Sequence, residues 1–146
     1  MTQTLTAEPA AIDRLLELIE LGHEMPQSRW PRHVLTVCQV LGDLDQGGPE
    51  LIKLKRKVFE CVATGNTMLA IRAMIPDDYV IQYGSKQVGA FASLRSEQGP
   101  SVRTIGANRE RALLAAVLEL AVLRQSDGTA LFFGVKSSPA EAALTG

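Results

Sequence analysis

The chain is poor in the residues on which most enzyme chemistry depends. Among its 146 residues are two histidines, two cysteines and one tryptophan. His23 and His33 flank a proline-rich stretch and, taken with Cys38 and Cys61, match no zinc-ligand spacing. Each cysteine stands alone on an apolar segment, so both read as small buried thiols of a reducing compartment rather than as a disulfide. Nucleophile elbow, Walker loop and dinucleotide fingerprint are all missing; Gly84, Gly89, Gly99 and Gly106 punctuate strands and build no phosphate cradle. Asp77 and Asp78 are adjacent acids after Pro76, a pattern of turn formers before it is one of catalytic carboxylates. No catalytic residue, metal ligand or cofactor is therefore assigned. The longest apolar stretch, Ala112 to Leu123, is interrupted by Glu119 and falls short of a hydrocarbon core of about 30 Å, so no membrane partner is expected. The acidic N-terminus lacks a basic region followed by an apolar run, and the expected location is the cytoplasm.

What is present is a globular composition, 46% apolar and 21% charged, which argues against both disorder and a membrane protein. A chain of this length folds as one domain, burying about two-thirds of its unfolded surface. The net charge of −1 conceals an asymmetry. Residues 1–48 hold three arginines (Arg14, Arg29, Arg32) against seven acids, whereas residues 51–126 hold eleven Lys and Arg against six. The two parts carry opposite net charge, which attracts them to each other or leaves a modest basic face for an anionic partner.

Apolar residues at Ile12, Leu15, Leu16, Leu18, Ile19 and Leu21 have helical spacing, opened by Pro9 and closed by Gly22. The following segment, GHEMPQSRWPRH, reads as a loop. Pro31 suits a first helical turn, and Val34, Val37, Cys38, Leu41 and Leu44 predict a helix over 31–45, with a strand left open by the β-branched content. After the break DQGGP, a basic amphipathic helix runs to Gly65. Thr67 caps a short helix that stops before Pro76. YVIQYG, GAFASLR and SVRTIG form an antiparallel meander. Asn108 caps a helix over 108–125 that is apolar on nearly every side and demands cover from the N-terminal helices or from a second copy of the chain. TALFFGV, residues 129–135, reads as one more strand before a frayed tail.

The expected fold is α+β: a small antiparallel sheet of three to four strands packed between helices as an α-β-α sandwich, with a helical N-terminal extension. Its parts are the extension (1–48), the sandwich core (49–126) and a C-terminal strand and tail (127–146), within one folded domain.

Ile75, Pro76, Tyr79 and the run Ala112 to Leu120, spread over residues 66–124, resemble small bacteriophage and prophage proteins with an α-β-α (ABA) sandwich domain. Tyr79 stands where that family usually has tryptophan, and residues 1–48 have no counterpart there. The resemblance implies a fold and a mobile-element origin, hence a bacterial host cytoplasm, and carries over no catalytic residue. The order helix 49–64, three strands, helix 108–125 also resembles a double-stranded RNA-binding domain, with PDDYVIQYG like that family's strand opening. That fold grips phosphates with lysines at the start of its last helix. Asn108, Arg109, Glu110 and Arg111 stand there instead.

The leading expectation is a non-enzymatic phage or prophage accessory protein that binds a host protein surface. It would self-associate as a homo-oligomer through apolar surface on helix 108–125 or strand 129–135. The alternative is a nucleic-acid or nucleotide binder, with a basic patch of Lys53, Lys55, Arg56, Lys57, Arg109 and Arg111 as its candidate site.

Overall fold

A computed structural model describes residues 2–45 and 49–126. Five helices and three strands follow in the order α1 (Thr2–Glu24), α2 (Trp30–Asp45), α3 (Pro49–Ala63), α4 (Thr67–Ala73), β1 (Val80–Ser85), β2 (Ala90–Arg95), β3 (Val102–Gly106) and α5 (Arg109–Ser126). The class is α+β. The strands form an antiparallel meander, β1-β2-β3, in a register that sets Ile81 opposite Leu94, Tyr83 opposite Ala92 and Thr104 opposite Ala92. The expected strand at 129–135 lies outside the described residues.

The helix ends have local causes. Asn108 Oδ1 accepts from the Arg111 amide at 2.9 Å, the expected cap of α5. The cap of α4 is Asn66 rather than Thr67: its Oδ1 accepts from the Leu69 amide at 3.1 Å, and the Thr67 hydroxyl is turned to Glu110. At the end of α3 the Asn66 amide reaches Cys61 O and the Gly65 amide reaches Val62 O, with Gly65 at φ +82°. This paired closure requires a left-handed residue, which glycine adopts without Cβ strain.

Three expected boundaries shift. α1 begins at Thr2 and continues through Gly22 to Glu24, and α2 begins at Trp30, one residue before Pro31. Gly22 is a point of close approach and not a terminator: a Cβ there would stand 3.0 Å from His33 Nε2. A single 3-10 turn, Gln27–Arg29, leads directly into α2, so the expected loop is short.

One core runs through all the elements. It joins Leu15 and Leu18 of α1, Trp30, Val34, Val37, Cys38 and Leu41 of α2, Val58 of α3, Ala70 and Ile71 of α4, and Ala90, Ala92, Leu94 and Val102 of the sheet. α5 lies through its middle, between the sheet and the N-terminal helices. From Ala112 to Leu118 no residue is more than 5% exposed. α1 and α2 therefore supply the cover that this helix demands, and residues 10–44 share one core with 51–125. Each fully buried Leu or Val contributes about 1.5–3 kcal/mol of transfer free energy, so a helix apolar all round is stable only when enclosed.

Close packing of α5 on the sheet depends on small residues. Ala90 and Ala92 face it from β2, and a Cβ on Gly106 would stand 2.7 Å from the Ala112 amide nitrogen. The Thr104 hydroxyl donates to the Ala112 carbonyl, which satisfies a polar group buried in that contact.

Candidate binding surfaces

The residues of the expected basic patch differ in their exposure. Lys53, Arg56 and Lys57 are exposed on α3, and Arg109 is exposed at the start of α5. Lys55 is half-buried and lays its stem over Gly42 of α2, where an added Cβ would collide with it. Arg111 is only 8% exposed. Its guanidinium sits 4.6 Å from the centre of the Trp30 ring, and Nη1 donates to the Gly22 carbonyl at 2.8 Å. Gly22 O lies in the last turn of α1, where carbonyls have no partner within the helix, so Arg111 closes that helix from outside. Arg111 thus belongs to the core and drops out of the patch, because its neighbour Trp30 offers a ring face and an unpaired carbonyl lies beyond it.

A partly buried polar junction adjoins it. Glu110 Oε1 accepts from Trp30 Nε1 at 2.8 Å and from the Thr67 hydroxyl at 2.6 Å, tying α2, α4 and α5 together. His33 is 4% exposed and packs on Trp30 with ring centroids 5.6 Å apart. Burial lowers its pKa from the usual 6.5, against a hydrogen bond the ring donates to the Leu18 backbone carbonyl, which raises it; Arg111 and Arg14 lower it further. The imidazole, wedged between α1 and α2 and held toward its neutral form by burial, packs the core beside Trp30. The sequence marked Trp30 as a loop residue. The Trp-Pro pair at a helix start was the available signal, and only its tertiary partners show its role.

Among the described residues no group of three or more His, Cys, Asp or Glu is placed to hold a metal ion, and no helix is long and apolar enough to cross a membrane. Cys38 and Cys61 are buried free thiols, and burial raises Cys38 to about 11, so its nucleophilic thiolate is scarce at neutral pH.

Two surfaces do carry chemistry. The first is the face of the sheet turned away from α5. Strand alternation places Val80, Gln82 and Gly84 of β1, Phe91, Ser93 and Arg95 of β2, and Arg103 and Ile105 of β3 on it. Val80 is 58% and Ile105 64% exposed. Phe91 lies over Gly84, 3.0 Å from where a Cβ would be, and Arg103 stacks on its ring at 5.3 Å. The three strands contain no acidic residue, so the charges they themselves present are positive, although Asp78 and Glu97 border Val80 and Arg95 at one end.

The second is a cleft of about 540 Å³ between α1 and α2, lined by Arg14, Leu18, Leu21, Met25, Ser28, Arg29, Arg32, His33 and Thr36. Leu21 is 45% exposed beside it. Arg14 pairs with Glu17 at 2.8 Å, while Arg29 and Arg32 make no ion pair among the described residues.

Compared with known proteins, the chain matches no family model, no curated protein and no solved structure.

Proposed function

We propose that this chain is a non-enzymatic binding protein, in keeping with a phage or prophage accessory role, and that it docks an acidic segment of a host protein on the open face of its sheet. The observation that carries the reading is the composition of that face: exposed Val80 and Ile105 beside Phe91, flanked by Arg95 and Arg103, with no carboxylate on any strand. Exposed β-branched residues on a sheet face cost solvation unless a partner covers them. The two arginines set the sign of that partner.

A protein segment fits better than nucleic acid. The face offers one aromatic ring, already stacked by Arg103, and two cations, whereas tracking a phosphate backbone takes a longer series of cations and base stacking takes free rings.

The test compares three tagged proteins in a nuclease-treated bacterial lysate: the unaltered chain, Arg95→Glu/Arg103→Glu, and Lys53→Glu/Lys57→Glu. The expected result is a protein retained by the first and third and lost from the second. Loss in the α3 variant, or on nuclease treatment alone, would transfer the function to the basic helix and its nucleic-acid reading. Turnover of any substrate by the purified chain would end the non-enzymatic one.

A further inference from the structure

The N-terminal part of the chain is acidic overall, with seven carboxylates against three arginines through residue 48, yet all three of those arginines line a single cleft. Arg14 comes from the middle of α1, Arg29 from the 3-10 turn and Arg32 from the first turn of α2. No carboxylate is among the residues lining the cleft, and Arg14 is paired with Glu17. Exposed arginines in an acidic segment would ordinarily be drawn toward its carboxylates; Arg29 and Arg32 have no such partner among the described residues. The rest of the lining divides by chemistry. Leu21 and Met25, together with Leu18 at 1% exposure, give the apolar lining from α1 and its end; Ser28 and Thr36 add hydroxyls, that of Thr36 donating to the Arg32 carbonyl. A volume of about 540 Å³ lies within the ordinary range for small-ligand sites, roughly 300–1,000 Å³.

We propose that this cleft binds a small amphipathic organic anion, with its carboxylate or phosphate held by Arg29 and Arg32 and its apolar body laid along Leu18, Leu21 and Met25. Guanidinium pairs hold such oxyanions by paired, charge-assisted hydrogen bonds, which a neutral headgroup cannot reproduce. The apolar wall then selects against small hydrophilic anions, because a hydrated ion leaves Leu21 uncovered. The site lies on the helical side of the molecule and does not depend on the open sheet face.

The test titrates the full chain with octanoate, octyl phosphate, 1-octanol and inorganic phosphate below any micelle concentration, read by calorimetry and by amide chemical shifts. Octanoate or octyl phosphate is expected to bind and to shift Leu21 and Thr36, with octanol and inorganic phosphate each roughly tenfold weaker or more. Arg29→Gln/Arg32→Gln should weaken the anion by a similar factor and leave the thermal midpoint unchanged, since both side chains are exposed. Equal affinity for octanol and octanoate, an unaffected double variant, or no binding by either anion would overturn the proposal. Binding confined to phosphatidylglycerol vesicles would also overturn it, by showing a membrane-surface contact in place of a small-ligand site. If the double variant fails to fold, the single variants Arg29→Gln and Arg32→Gln carry the same readout.

Discussion

On strand β2, Ala90, Ala92 and Leu94 are at most 2% exposed, while Phe91, Ser93 and Arg95 alternate with them on the side open to solvent. The two faces of one six-residue strand are thus built on opposite principles. The inner face is apolar, and its two alanines let α5 approach closely. The outer face mixes an aromatic, a hydroxyl and a cation that no helix covers. Function on this reading resides where side-chain size is not dictated by a neighbour, and stability where it is.

The comparison is broken most severely at the inner face. Leu118→Ala in α5 should cost about 2–5 kcal/mol, since its side chain is 1% exposed and the surrounding core closes only in part over the vacancy. Urea unfolding would show it as a lower midpoint at constant slope. Next in size is the polar junction. Glu110→Ala strands Trp30 Nε1 and the Thr67 hydroxyl, a loss of about 1–3 kcal/mol. Arg111→Ala should cost about as much, by removing the stack on Trp30 and uncovering Gly22 O. Arg109→Ala, two residues earlier and exposed, should stay within about 0.5 kcal/mol. Equal effects of these two arginine variants would refute the separation of Arg111 from the surface patch.

Smaller still is an effect of pH. The folded pKa of His33 lies below its unfolded value of 6.5, so the unfolded chain takes up the proton first. The contribution is whole above pH 6.5 and is lost as pH falls from there toward the lowered folded value. Glu119 acts in the opposite sense. Burial raises its folded pKa above 4.5, partly opposed by His23, so it favours the folded chain as pH falls toward 4.5. A decline in thermal midpoint beginning near pH 6.5, abolished in His33→Gln, is the expected signature; an unchanged slope in that variant would show that the imidazole carries no such linkage. The smallest effect belongs to the outer face. Ile105→Thr should change stability by no more than about 0.5 kcal/mol, while Phe91→Ala costs slightly more because the ring covers Gly84.

Much of the fold was legible. Helical spacing located α1, α2 and α3, strand-forming residues between turn signals located the strands, and the cap and all-round apolar character of α5 announced a helix that must be enclosed. Local chemistry failed where a residue serves something distant. Gly22 was read as a terminator and Trp30 as a loop residue, because their partners, His33 and Arg111 for the first and Glu110 for the second, stand far away in sequence or across an intervening turn. Arg111 leaves the candidate basic patch for the same reason. Arg109 and Arg111 are alike in sequence, and only the helix phase, which turns one toward Trp30 and the other to water, separates them.

Sequence alone determined the element order, the antiparallel meander and the want of recognisable catalytic or metal-binding spacings, since these follow from periodicity, turn residues and residue type. Tertiary structure decided which cations are available and where they gather. Arg14, Arg29 and Arg32 meet because two helices pack side by side, whereas Arg111 is withdrawn because a ring face and an unpaired carbonyl lie within its reach. A charge has no direction until packing supplies one, and the spacing of residues along the chain carries no record of that choice.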